Sequence, residues 1–345
     1  MELIDFNFDL PKTLVAMYPL TERSASRLLL LSGASQHPID HTIGDLPSLL
    51  APGDLLIFND TKVIPARLIA RKKNTKGKVE VFVERICSDA SALVRLRASK
   101  QPKIDSSLVV DGGEELIVRE QIGEFFLVEV GSKRAFRDVL EISGQVPLPP
   151  YINRSEEPID RDRYQTIFAQ EEGAVAAPTA GFHFDESLLQ ALEKRGIERQ
   201  FLTLHIGSGT YQPVRNQLEE HRIHSERYRI SESVCSAIGE AKKKGSKVVA
   251  VGTTVARALE SATAEDGLVK PTDSETELFI VPGYKFRTID MLITNLHLPR
   301  STLLMLVCAF GGYEKVMAAY EHAVTNSYRF YSYGDAMLLQ RDLPN

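Results

Sequence analysis

Residues 247–262, KVVAVGTTVARALESA, decide the fold. Lys247 to Val251 is an unbroken apolar run with three valines, the pattern of a strand buried on both faces of a parallel sheet. It runs into Gly252-Thr253-Thr254, and Val255 to Ala262 then reads as a helix. Strand, glycine turn, hydroxyls and helix form the frame of a nucleotide pocket, although no GK[ST] follows, so this is not a phosphate loop of the Walker kind.

The same alternation extends on both sides. Upstream, Ser231 caps an amphipathic helix whose apolar line is Val234, Ala237, Ile238 and Ala241, and Gly245 stops it after Lys242 to Lys244. Downstream, Glu277 to Val281 and Met291 to Asn295 read as strands. Ser301 caps a helix over Thr302 to Phe310, and Tyr313 to Asn326 is the last long helix. Further back, Arg199 to Ile206 is a strand carrying His205 near its end, followed by Gly207-Ser208-Gly209-Thr210 and then His221-x-x-His224-x-Glu226. Before it lies a small-residue stretch, GAVAAPTAGFHF (173–184), which ends near His183 and feeds a helix capped by Asp185 and stopped by Gly196. Such a stretch either packs a strand tightly on a helix or admits a ligand close to the backbone. Strands and helices alternating from 185 onward predict an α/β sheet domain.

Residues 67 to about 145 change character. Val79 to Glu84, Ala92 to Arg97, Glu115 to Val118 and Phe125 to Val130 alternate apolar and polar residues between turn signals, which predicts a small antiparallel sheet or barrel. From Arg67 to Pro150 there are 15 Lys and Arg against 12 Asp and Glu, in a chain of net charge −5. Basic clusters in the loops of this module are either a solvated face or a track for a phosphate backbone. The Pro-rich QVPLPPYI (145–152) must be extended and returns the chain to the main body. The expected organisation is thus an α/β domain from 1–66 and 146–345 with a β-barrel domain inserted at 67–145.

The totals restrict the class. The 345 residues suffice for two domains, and no apolar run approaches the roughly 20 residues of a membrane span. The start, MELIDFNFDLP, lacks the basic-then-apolar order of a signal peptide. Cys87, Cys235 and Cys308 are odd in number and far apart, which predicts reduced thiols in a cytosol, with neither disulfide framework nor zinc knuckle.

Ten motifs in order resemble the S-adenosylmethionine:tRNA ribosyltransferase-isomerase family of queuosine biosynthesis. They are FNDTKVIPARL (58–68), GQVPLPPYI (144–152), DRYQTIFA (162–169), GAVAAPTAGFHF (173–184), HIGSGTYQPV (205–214), HRIHSE (221–226), VGTTVARALES (251–261), LFIVPGYKF (278–286), TNLHLPRSTLLMLV (294–307) and YRFYSYGDAML (328–338). Departures are mild: Tyr211 where Phe is usual, Cys308 where Ser is common, and Val255-Ala256 where Ser-Val is common. The resemblance implies a three-layer α/β/α sheet domain with an inserted small β-barrel. It also implies ribosyl transfer from S-adenosylmethionine, a consumed substrate and not a cofactor, to 7-aminomethyl-7-deazaguanine at the wobble position of a tRNA. Epoxyqueuosine forms, and adenine and methionine leave. A cytoplasmic monomer needing neither metal nor protein partner is expected.

That chemistry needs a base at the sugar C5′ and a proton for departing adenine. Among the motifs, His183, His205, His221, His224 and His297 titrate nearest neutrality. His183 and His205 are expected at the sugar, with His224 and His297 as further catalytic candidates and Asp162, Glu226 and Asp335 to orient them or the amine. Thr179, Gly181, Gly207, Gly209, Thr210, Gly252, Thr253 and Thr254 are expected to cradle adenosine and methionine, with Arg257 or Arg300 on the carboxylate. For the single-stranded anticodon loop, Tyr164, Tyr328, Phe330 and Tyr331 are candidates to stack and Lys62, Arg67, Arg154 and Arg163 to contact phosphates, with Gln165 and Arg329 as further tRNA-binding candidates. Three rival readings remain: a metal hydrolase on His221, His224 and Glu226, a non-catalytic RNA-binding module, and an S-adenosylmethionine-dependent methyltransferase.

Overall fold

The computed structural model describes residues 1–33, 37–207, 209 and 224–341. Its frame is a nine-stranded mixed sheet. From edge to edge the strands are Thr272–Thr276, Glu226–Ile230, Glu198–Leu204, Leu55–Asn59, Val248–Val251, Met291–Asn295, Ala336–Gln340, Arg27–Leu31 and Ile39–Thr42. Period-two alternation gives the sheet two apolar faces. Leu29, Leu31, Leu55, Ile57, Val248 and Ala250 face one core, covered by helices Glu232–Lys244, Thr253–Ala262, Thr302–Gly311 and Tyr313–Thr325. Leu28, Leu30, Leu56, Phe58, Val249 and Val251 face the other, covered by Leu46–Leu49 and Glu186–Lys194. The result is a three-layer α/β/α arrangement.

The two central strands lie parallel to both their neighbours: Leu55–Asn59 between Glu198–Leu204 and Val248–Val251, and Val248–Val251 between Leu55–Asn59 and Met291–Asn295. Direction then reverses, because Met291–Asn295 pairs antiparallel with Ala336–Gln340, setting Asn295 opposite Ala336.

Six antiparallel strands close a barrel in the order Phe125–Val130, Ser91–Arg97, Lys78–Ser88, Arg67–Lys72, Ser107–Val110 and Glu115–Ile122. Val79, Val81, Val83, Ala92, Val94, Leu116, Val118 and Val128 fill it, and Phe136, Val139 and Leu140 of helix Phe136–Ser143 join the same core. Each fully buried valine contributes about 1.5–3 kcal/mol relative to an exposed one.

Some elements depart from expectation. The segment Glu277 to Val281 is not a strand; the edge strand is Thr272–Thr276, and the Leu278 carbonyl instead accepts from Arg257 Nε at 3.0 Å. The helix after Gly252 begins at Thr253, two residues earlier than expected. Strands Arg67–Lys72, Ser107–Val110, Ile39–Thr42, Glu226–Ile230 and Ala336–Gln340 were not anticipated.

Candidate active site

A pocket of about 770 Å³, partly open to solvent, sits at the carboxyl ends of Val248–Val251 and Met291–Asn295, where the sheet changes direction. Ligand crevices in open α/β sheets form at such switch points. Gly252 makes the first wall. Its N–H donates to the Ile293 carbonyl at 2.8 Å, and its φ of +103° is one that L side chains rarely adopt. No side chain caps the helix that follows, so first-turn N–H groups of Thr253–Ala262 stay available beside the pocket, at the positive end of the dipole. Ser301, a lining residue, caps helix Thr302–Gly311 by accepting from Leu304 N at 3.2 Å. Two helix N-termini therefore meet at one cavity.

Two lining residues hold strained backbones: Arg300 at φ +55° and Tyr331 at φ +74°. The fold fixes both, since Arg300 N donates to the Phe6 carbonyl at 2.8 Å and Tyr331 N to the Leu296 carbonyl at 3.0 Å. Strain of this kind collects at functional sites. Tyr331 stacks on Tyr151, with ring centroids 4.3 Å apart, and Tyr151 Oη hydrogen-bonds Ser332 Oγ at 2.5 Å.

Asn295 ties the back wall together. Its Nδ2 donates to the Tyr331 carbonyl at 3.0 Å and lies 3.2 Å from His183 Nε2, while Thr179 Oγ1 donates to its Oδ1 at 3.2 Å. This pattern assigns His183 Nε2 as acceptor and leaves the proton on Nδ1. Burial, helped by the charges of Arg23 and Arg329, lowers the His183 pKa to about 4. His297 lines the pocket itself, with Nε2 2.9 Å from Thr294 Oγ1 and its backbone N–H donating to Tyr320 Oη at 2.9 Å. Burial lowers its pKa to about 3. Both imidazoles are uncharged at neutral pH.

Of the candidate residues, the pocket brings together Thr179, Gly252, Thr253, Thr254, His297, Arg300 and Tyr331, with His183 directly behind. The other catalytic candidates stand elsewhere. His205 is held by Thr61 Oγ1 at 2.8 Å, its ring lies against Gly173, and burial lowers its pKa. His224 turns to the barrel, 3.5 Å from Glu124 and edge-on to Phe125. Glu226 is buried, ion-paired with Arg257, and accepts from Gly207 N at 3.3 Å. Asp335 is buried and accepts from Arg27 N at 3.0 Å and Arg329 N at 2.8 Å; burial raises its pKa. Asp162 is exposed, with its carbonyl accepting from Arg23. The metal reading also needs His221, which lies outside the described residues; among the described residues no three potential ligands converge.

The glycines and arginines divide likewise. A Cβ on Gly181 would sit 2.7 Å from Thr166 Cγ2 and one on Gly209 2.4 Å from His224, so these glycines serve packing. Gly207 faces Glu84, and Arg257 is committed to Glu226. Thr210 and His221 lie outside the described residues.

Several RNA candidates are absorbed by the fold. Tyr164, Tyr328 and Phe330 are fully buried and offer no face to a base. Arg154 forks onto Asp160 at 2.6 and 2.7 Å, and Gln165 bridges Val63 N and O. Lys62 and Arg67 are paired with Glu172 and Glu80, the former pair half-exposed. Arg163 and Arg329 differ from these: they donate to the backbone carbonyls of Thr21 and Tyr18 and have no carboxylate partner within ion-pair distance among the described residues, so the fold does not neutralise them.

Lining residues not foreseen are Tyr151, Thr294, Asn295, Ser301 and Ser332. Asn295 carried a signal: a polar amide closing the apolar strand Met291–Asn295.

A mixed α/β sheet with a pocket at its strand reversal, and a closed barrel formed by a mid-chain segment, define the class to which the chain belongs: an α/β protein that combines a large mixed sheet with a closed antiparallel β-barrel. Comparison then narrows it. The family model described as "Queuosine biosynthesis protein" matches residues 3–339. The S-adenosylmethionine:tRNA ribosyltransferase-isomerase of Nitrosococcus oceani is 50% identical over 340 residues, covering 98% of each chain. The crystal structure of S-adenosylmethionine tRNA ribosyltransferase from Thermotoga maritima superposes with a TM-score of 0.55 at 30% identity, covering 97% of this chain and 99% of that one. The chain belongs to the queuosine biosynthesis protein family, and with it to the transferase–isomerase enzymes.

Proposed function

We propose that the enzyme transfers the ribosyl group of S-adenosylmethionine to 7-aminomethyl-7-deazaguanine in the wobble position of a tRNA and isomerises it to the epoxycyclopentane of epoxyqueuosine, releasing adenine and methionine. One observation carries the reading beyond the family: the pocket joins an aromatic pair, four threonines (Thr179, Thr253, Thr254 and Thr294) and two helix N-termini at one place. This set matches a nucleoside bearing an amino-acid tail. The Tyr331 ring offers a face for adenine, the hydroxyls suit the ribose, and the helix N-termini with Arg300 suit the carboxylate.

The sulfonium acidifies the C5′ hydrogens. His297, uncharged and inside the pocket, is the group we assign to accept that proton; its low proton affinity makes the sulfonium's acidifying effect essential. Asn295 and His183 hold the wall against which the sugar rearranges. Adenine leaves with a proton, the tRNA amine adds to the opened sugar, and ring closure to the epoxide expels methionine.

The test is a product assay with S-adenosylmethionine and a tRNA carrying 7-aminomethyl-7-deazaguanine. Adenine and methionine in equal amounts, formed only with that tRNA, are expected. S-adenosylhomocysteine instead would establish a methyltransferase. Binding of the tRNA without adenine release would establish a non-catalytic RNA-binding protein.

A further inference from the structure

Behind His183, and sharing His183 and Ser332 with the walls just described, lies a smaller, shallow recess open to solvent. Arg23 and Arg163 line it beside Phe182 and Tyr333. Arg329 does not line the recess, but its charge, like that of Arg23, is felt at His183.

These three guanidinium groups are compensated unusually. Arg23 donates to the carbonyls of Phe182 (3.2 Å) and Asp162 (3.1 Å), Arg163 to that of Thr21 (3.1 Å), and Arg329 to that of Tyr18. Every one of these bonds ends on a neutral backbone oxygen. Among the described residues none of the three has a carboxylate partner within ion-pair distance, unlike nearby Arg154 on Asp160. Glu22, the one carboxylate that lines the recess among the described residues, is exposed. Arg163 Nε and Arg329 Nη1 are buried and have no hydrogen-bond partner among the described residues. Buried donors of this kind demand a partner, and charged ones most of all. The cations also repel: burial and then Arg163 lower the Arg23 pKa to about 10.

We infer that this recess binds a phosphate group and that, in the reaction proposed above, the phosphate is a backbone phosphodiester of the RNA substrate beside the modified nucleotide. One guanidinium fork satisfies the two oxygens of a carboxylate; free N–H groups on separate arginines suit the several oxygens of a tetrahedral anion. S-adenosylmethionine carries no phosphate, so of the two proposed reactants only the RNA supplies one. The assignment to RNA rests on the proposed function; the assignment to phosphate does not.

The test therefore has two arms. In the first, the thermal midpoint of the protein alone is followed with inorganic phosphate against chloride at equal ionic strength. Phosphate is expected to stabilise the protein, and Arg163→Gln and Arg329→Gln to remove that stabilisation, with Arg163→Lys restoring part of it. Midpoints in chloride and circular dichroism report folding of each variant. Midpoints indifferent to phosphate would overturn the site. In the second arm, tRNA and S-adenosylmethionine affinities are measured. Arg163→Gln should weaken tRNA binding roughly tenfold or more and make the salt slope of log affinity shallower by about 1. S-adenosylmethionine affinity should stay constant. Loss of S-adenosylmethionine affinity with tRNA affinity intact would overturn the phosphate assignment in favour of a carboxylate. Phosphate stabilisation in a protein that binds no tRNA would overturn the RNA assignment and the proposed function together, while leaving the anion site established.

Discussion

His183 shows what burial does to a single ring. Its pKa of about 4 against an ordinary value of 6.5 means that the unfolded chain takes up the proton first as pH falls. The contribution is fully present above pH 6.5 and is lost between 6.5 and 4, amounting to about 3 kcal/mol. Urea unfolding followed from pH 7.5 to 4.5 should show this loss, and His183→Gln should make the curve shallower, leaving the part that His297 contributes. Activity behaves differently: with His297 near 3, no rate loss from its protonation is expected between pH 8 and 6. Asn295 is the second residue to test. It is 2% exposed and holds His183, Thr179 and the Tyr331 carbonyl at once. Asn295→Ala should cost about 1–3 kcal/mol in urea unfolding. Under the proposed reading, adenine release should fall by at least tenfold, because the wall assigned to the sugar loses its geometry.

Among the elements, helix Thr253–Ala262 depends on the glycine before it. A methyl group on Gly252 would find room, 3.5 Å from Ala180 Cβ, so space is not the restriction; the φ of +103° is. Gly252→Ala should destabilise by about 1–2 kcal/mol and shift the helix start. Under the proposed reading, KM for S-adenosylmethionine should rise more than kcat falls, which steady-state kinetics separates. The sheet elements also explain what was legible beforehand. Val248–Val251, Met291–Asn295 and helix Glu232–Lys244 followed from apolar runs and caps, because burial and capping write themselves into local sequence. Glu226–Ile230 and Thr272–Thr276 did not, because at the sheet edge charged pairs such as Arg227 with Asp273 replace apolar burial. The pocket was half legible. The Gly252 turn and Thr179 announced themselves, but Tyr164 and Phe330 look identical in sequence whether they stack on a ligand or on the core. His205 and Glu226 carry chemistry-bearing side chains that three-dimensional pairing assigns to holding loops.

Across the whole molecule, Arg154 distinguishes structural charge from charge held for a ligand. It grips the fully buried Asp160, which also accepts from Tyr333 Oη at 2.9 Å and Glu157 N at 2.9 Å. Burial favours the neutral acid there, yet the Arg154, Tyr333 and backbone hydrogen bonds hold its pKa below the ordinary value. Arg154→Ala should cost about 3–5 kcal/mol, since it strands that carboxylate. The salt slope of tRNA binding should be unchanged in the folded fraction, whereas a phosphate contact would change it.

The sheet's strand order also sets a timetable for synthesis. Leu28 to Leu31 pair in register with Ala336 to Leu339, so the early strand waits for some of the last residues made. At cellular translation speeds that interval is roughly 15 to 60 s. The barrel, by contrast, draws all six strands from Arg67–Lys72 through Phe125–Val130, so all its pairing partners are synthesised long before the last strand of the sheet. Leu28 to Leu31 has its Ile39–Thr42 neighbour early but lacks the other one until synthesis ends, so a chaperone that shields this strand during that interval is expected to raise the yield of folded enzyme.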